Sequence, residues 1–112
     1  MNYNKLSEEE QIELVSVDGY AIRHIKNPSE AVQLAAVQWN GYAIIHIKSP
    51  TDRVQLAAIG RAGWPILGHI KHPTEEVQLF AIRQFPEAYK YVSVPSAEIR
   101  AFAALVTMEK SY

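Results

Sequence analysis

Hydrophobic positions in this chain fall into alternating short and long blocks divided by proline. In the first complete example the short block is Tyr20-Ala21-Ile22-Arg23-His24-Ile25-Lys26, room for about two helical turns. Asn27-Pro28 follows and should end it, because proline restricts the residue before it and cannot continue the hydrogen-bond pattern. Ser29 then stands in N-cap position, with Glu30 beside the positive end of a second helix running from Val32 to Trp39. Gly41, just after Asn40, is placed to close that helix as a left-handed C′ residue. The same punctuation recurs at Pro50-Thr51-Asp52, Pro73-Thr74-Glu75 and Pro95-Ser96. Ahead of them Leu6-Ser7-Glu8 lacks the proline, but Ser7 with Glu10 fits a capping box. No stretch alternates with the period of a strand. The pattern predicts an all-α protein: five long helices separated by four short ones, partly 3₁₀ in character.

The blocks also repeat as sequence. "GYAIRHIKNPSEAVQLAAV" (19–37) and "GYAIIHIKSPTDRVQLAAI" (41–59) agree at 13 of 19 positions. Weaker copies begin at Gly63, "GWPILGHIKHPTEEVQLFAI", and at Pro86, "PEAYKYVSVPSAEIRAFAAL". A fixed period of this kind predicts a short α-solenoid of four to five two-helix repeats with a 22–23 residue period. It forms one domain over 1–112, with a half repeat at 7–18 serving as N-cap and units at 19–40, 41–62, 63–85 and 86–108. Small side chains at Ala35-Ala36 and Ala57-Ala58 let neighbouring helices approach, and apolar residues on several sides imply burial by both neighbours.

The phrases "VQLAAVQWNGYAI" and "VQLAAIGRAGWPI" resemble the short helical repeats of unknown function found in bacteriophage and bacterial proteins. The likeness covers roughly 7–106, is strongest in the middle two units and weakest in the last, where Pro86 replaces glycine and Arg100 replaces glutamine. It implies a helical-repeat fold and a phage origin, and carries no activity to particular residues.

Comparison of the units gives a direction. Val32 and Ala35 correspond to Glu10 and Glu13 in the first unit, so that pair should face backward and be solvated at the N-terminal cap. Leu34 and Val37, corresponding to Ile12 and Val15, should face forward. In the last unit the forward positions are Ala101 and Ala104, continued by Leu105 and Met108. This apolar stripe is expected to join two copies in a homodimer, unless the tail "MEKSY" or a partner covers it. Gln11, Gln33, Gln55 and Gln78 recur in one register; each is expected to bond a backbone group, placed in the following unit because the last unit has Arg100 instead. His24, His46 and His69 form a second row. Helices about 8–10 Å apart cannot bring single imidazoles onto one zinc, so these are expected to pack or bond locally at helix ends. Lys26, Lys48 and Lys71 follow as a solvated face.

Composition narrows function by exclusion. A net charge of −1 offers no overall attraction to polyanions, and the absence of cysteine excludes disulfides, thiolate metal sites and cysteine nucleophiles. The polar, acidic start "MNYNKLSEEEQ" reads as neither signal peptide nor spanning helix, which points to a cytoplasmic protein, in the host cytoplasm if phage-encoded. No nucleophile elbow, phosphate loop or HExxH stands out, and Glu8-Glu9-Glu10 reads as a charged helix start. The chain is therefore expected to be non-catalytic, without cofactor or metal. Positions that vary between units remain free for binding: Arg23/Ile45, Ala31/Arg53/Glu76, Gln38/Gly60/Arg83 and Trp39/Arg61/Gln84. Tryptophan and arginine dominate interface hot spots, so Trp39, Arg61, Trp64, Arg83 and Phe85 form the candidate partner-binding rim. A protein partner is the leading expectation; nucleic acid held on an arginine face (Arg23, Arg53, Arg61, Arg83, Arg100) is the alternative.

Overall fold

The computed structural model describes residues 2–110, with side chains through Met108. It is all-helical. Five α-helices, α1 (Glu8–Val17), α2 (Glu30–Trp39), α3 (Asp52–Ala62), α4 (Glu75–Gln84) and α5 (Ala97–Lys110), alternate with four 3₁₀ helices at Gly19–His24, Gly41–His46, Trp64–His69 and Pro86–Tyr91. A fifth 3₁₀ turn, Tyr3–Lys5, precedes α1 and has no counterpart in the blocks read from sequence. Each α-helix packs on its chain neighbours and on the 3₁₀ helices beside it, and the molecule measures 54 × 23 × 16 Å.

Every α-helix starts where its hydroxyl predicts. Ser29, Thr51, Thr74 and Ser96 hold extended or preceding-turn positions, and each side-chain oxygen accepts from the backbone N–H three residues on, at 3.2–3.3 Å. That satisfies one donor that the first helical turn leaves free. Ser7 and Glu10 complete the reciprocal box: Glu10 N–H donates to Ser7 Oγ at 3.1 Å, and Ser7 N–H to Glu10 Oε1 at 2.9 Å. The Ser7 backbone N–H first, and the Ser7 hydroxyl after it, hold the Glu10 carboxyl below its ordinary range.

The short helices end earlier than the prolines imply. The first stops at His24, not Lys26, because Ile25 turns extended with its N–H bonded to Ile22 carbonyl at 3.0 Å. Ile47 and Ile70 do the same, and all three are at most 7% exposed. A β-branched residue that prefers extended backbone and is wanted in the core stops the helix before proline can. Asn27 then reverses the chain at φ 49°, a conformation asparagine tolerates better than most residues.

Gly41 is not the left-handed closure expected of it. Only Gly63 among the glycines has positive φ (96°); Asn40 closes α2 in extended conformation. Gly41 instead starts the next 3₁₀ helix pressed against α3, where a Cβ would lie 2.6 Å from Ala62 Cβ and 2.7 Å from Ala58 O. Gly19 has the same relation to α2. The extra residue of the third unit also falls at this junction. α3 runs one residue longer than α2, Gly63 absorbs it, and Trp64 rather than Gly63 opens the following 3₁₀ helix.

The core is a line of aliphatic side chains taken from the same register of successive units. Val32, Val54, Val77 and Ile99 are each 0% exposed, as are Ala36, Ala58 and Ala81. Burying each of the larger ones contributes roughly 1.5–3 kcal/mol against exposure. In α1 Glu10 and Glu13, in register with Val32 and Ala35, are exposed; in α5 so are Ala101 and Ala104, in register with Leu34 and Val37, while Leu105 and Met108 are 59% and 61% exposed. Ser111 and Tyr112 of the tail considered as a cover for that stripe lie outside the described residues, as do the side chains of Glu109 and Lys110.

Candidate protein-binding surface

Two long edges of the molecule can be distinguished from contacts between α2 and α3. At their starts Thr51 Oγ1 donates to Glu30 Oε2 at 2.8 Å, and Arg53 pairs with Glu30 at 3.3 Å. At their ends Arg61 Nε donates to the Gln38 carbonyl at 2.9 Å. The two helices therefore run side by side in the same direction. One edge carries the proline turns and helix starts, the other the helix ends.

The candidate rim lies along the second edge. Trp39 ends α2, Arg61 and Arg83 sit in the last turns of α3 and α4, and Trp64 and Phe85 occupy the turns that follow. The five are not equally free. Trp39 lies 37% exposed over Gly19, its ring edge-on to Tyr20 at 5.2 Å. Trp64 is half-buried against Tyr91 at 5.1 Å, with the Lys90 ammonium 5.9 Å from its ring centre. Arg61 spends one donor on the Gln38 carbonyl. Arg83 and Phe85 are exposed, Phe85 at 44%. The structure spreads these residues along the edge.

The arginines proposed for nucleic acid do not form a free row. Arg23 donates to the Tyr20 carbonyl, Arg53 to Glu30 and Arg61 to Gln38. Arg83 and Arg100 are exposed. Among the described residues, no cluster of three or more His, Asp or Glu could hold a metal ion. No described helix is long and apolar enough to cross a membrane.

The glutamine row finds its partner elsewhere than expected, while the histidine row packs at helix ends as expected. Gln33, Gln55 and Gln78 do bond backbone carbonyls, but those of Pro28, Pro50 and Pro73 in their own units, at 2.9–3.0 Å. Gln11, which has no proline, uses the Tyr3 carbonyl of the extra turn at 3.1 Å. The proline five residues earlier was the available signal, since its carbonyl sits under the helix start that the glutamine faces. The following unit is not involved. The histidines pack on aromatic rings of the unit before: His24 stacks on Tyr3 at 5.2 Å, His46 meets Tyr20 edge-on at 5.7 Å, and His69 meets Tyr42 at 5.4 Å. Tyr91 stands in the histidine's place in the last unit and meets Trp64. The co-recurrence of Tyr20 with His24 and Tyr42 with His46 hinted at such a pairing, though only the fold shows that it crosses between units. Comparison with known proteins identifies no relative: no family model, no curated protein and no solved structure matches the chain.

Proposed function

We propose that the protein is a short α-solenoid of four to five two-helix repeats that acts as a non-catalytic protein-binding module, a small phage-encoded inhibitor or adaptor working on a host or defence protein in the host cytoplasm. The observation that carries this reading is that the varied positions of the long helices and their ends lie at the surface while the shared core register does not vary in character. Every position that differs between the units in the sets above is exposed: Arg23 and Ile45; Ala31, Arg53 and Glu76; Gln38, Gly60 and Arg83; Trp39, Arg61 and Gln84. Val32, Val54 and Val77, with Ala36, Ala58 and Ala81, are buried. A helical array whose units share a core and vary their surface suits recognition, because packing fixes the backbone and leaves the outer side chains to specify a partner. The short-repeat resemblance supports the phage origin. The rim of Trp39, Arg61, Trp64, Arg83 and Phe85 is the binding surface in this reading, with Arg83 and Phe85 its least committed members.

The test is affinity capture from host lysate by tagged wild type and by an Arg83→Glu/Phe85→Ser variant, with bound proteins identified by mass spectrometry. A protein retained by the wild type and lost from the variant supports the reading. Retention of none, or of the same set by both, removes the rim.

A further inference from the structure

The edge of proline turns carries two grooves that the rim does not use. One, of about 520 Å³, lies between the turn at Ile25–Pro28 and the turn at His46–Ser49, over Gln33. The other, of about 480 Å³, lies between that second turn and the one at His69–His72, over Gln55. His46, Ile47, Lys48 and Ser49 wall both, so the grooves run into each other.

Their chemistry repeats. The three walls present Lys26, Lys48 and Lys71, all exposed and, among the described residues, without an ion-pair partner. Among the described residues, Asp52 is the one carboxylate that lines either groove. The apolar part is aliphatic, Ile47 between the grooves and the half-exposed Ile45 at the lip. Gln33 and Gln55 each commit Nε2 to a proline carbonyl, while Oε1 is buried with no donor. Gln55 itself is only 4% exposed. These two amides belong to the packing beneath the grooves, so the groove surface itself is set by the lysines and the aliphatic lip.

We propose that these joined grooves bind an acidic peptide segment in extended, polyproline-like conformation, its carboxylates meeting Lys26, Lys48 and Lys71. Aliphatic side chains between the acids rest on the half-exposed Ile45 at the groove lip. Periodicity favours this ligand. Packed helices repeat about every 8–10 Å, and three residues of polyproline helix advance about 9.3 Å, so an acid at every third residue keeps step with the lysines. Charge density disfavours nucleic acid: duplex DNA carries a charge about every 1.7 Å, against one lysine per unit here. The proposal rests on the protein-binding reading but sets the ligand on the other edge from the rim.

The probe is a fluorescein-labelled nonapeptide of three Glu-Leu-Pro triplets, followed by fluorescence anisotropy at low salt, with a Lys-Leu-Pro peptide and a labelled single-stranded oligodeoxynucleotide as controls. Saturable binding of the acidic peptide is expected, weakened at least about tenfold by Lys48→Glu/Lys71→Glu or by replacing its acids with lysine. If the charge-reversed protein melts early, Lys48→Gln/Lys71→Gln takes its place, with a smaller loss expected in the same direction. No saturable binding, equal binding to wild type and variant, or preference for the oligonucleotide overturns the proposal. The two readings separate cleanly. A lysate partner lost on Arg83→Glu/Phe85→Ser, with no acidic-peptide binding, removes the grooves and keeps the module. Peptide binding that survives Arg83→Glu/Phe85→Ser keeps the grooves whatever becomes of the rim.

Discussion

Gly41→Ala is a sharp test of how closely the short and long helices meet. Gly41 is buried at the start of its 3₁₀ helix, and an added Cβ would lie 2.6 Å from Ala62 Cβ, 2.7 Å from Ala58 O and 3.1 Å from Ala62 N. Two of those atoms are backbone and the third is the stub of an alanine, so no rotamer change relieves the clash. The 3₁₀ helix must move away from α3. Overpacking of this kind costs about 1–3 kcal/mol, and the stiffer unfolded chain returns about 0.4–1 kcal/mol. The net expectation is a loss of about 1–2 kcal/mol, or a fall in Tm of about 4–15 °C for a domain near this size. Gly60→Ala is the internal control, because nothing lies within 4 Å of its added Cβ inside α3. There alanine should gain about 0.5–1 kcal/mol from helix propensity. Thermal and urea unfolding followed by far-UV circular dichroism measures both. Gly41→Asn discriminates further: asparagine suits a left-handed closure but fits the close approach no better than alanine. A Gly41→Ala protein within about 0.5 kcal/mol of wild type, or an asparagine variant more stable than the alanine one, would refute the close approach as the cause of this glycine.

Four further outcomes follow from the same contacts. Gln55→Leu should cost about 0.5–1.5 kcal/mol in urea unfolding: the Pro50 carbonyl loses its donor, while removal of the unpartnered Oε1 offsets part of that loss. Lys48→Gln should stay within about 0.5 kcal/mol, and equal effects of the two would deny the glutamine its role. Glu10 has its carboxyl held low by Ser7, so its contribution to stability is present above the ordinary carboxylate pKa and disappears as pH falls through the lower folded value. Glu10→Gln should flatten that acid limb of the stability–pH curve, and an unchanged slope would count against the capping box. We also expect two copies to meet through the exposed stripe of Ala101, Ala104, Leu105 and Met108. Light scattering at micromolar concentration should give a dimer for wild type and a monomer for Leu105→Glu/Met108→Glu, and a wild-type monomer would end that proposal.

Much of the helical framework could be read from local chemistry. Ser7, Ser29, Thr51, Thr74 and Ser96 announce helix starts because a cap acts within three residues of itself, and the structure places each one where the sequence did. The misreadings lie where a residue answers to something distant. Gly41 looked like a turn glycine by its neighbours, whereas its cause is Ala58 and Ala62, some twenty residues on. The short helix stops at His24 because Ile25 belongs to the core, a demand that acts before the local signal of Pro28 is reached. His46 finds Tyr20 only once two units lie side by side. Gln55 differs in kind: its partner is local, five residues back at Pro50, while the replacement of the glutamine by Arg100 in the last unit points forward and misleads. Of the candidate rim, exposure of the variable residues was legible from repeat comparison. The internal commitments of Trp39, Trp64 and Arg61 were not, because each depends on a neighbour in another unit or element.

The most direct test of the central claim, that the variable outer positions of a repeated helical core recognise a protein, is comparative capture from host lysate with quantitative mass spectrometry. The variant is Arg83→Glu/Phe85→Ser, whose substituted residues are exposed, with its melting temperature checked against wild type. The expected result is one host protein enriched by wild type and reduced at least about tenfold by the equally stable variant, as hot-spot loss implies. A stable variant that captures the same protein to the same extent, or a wild type that enriches none, would contradict the account.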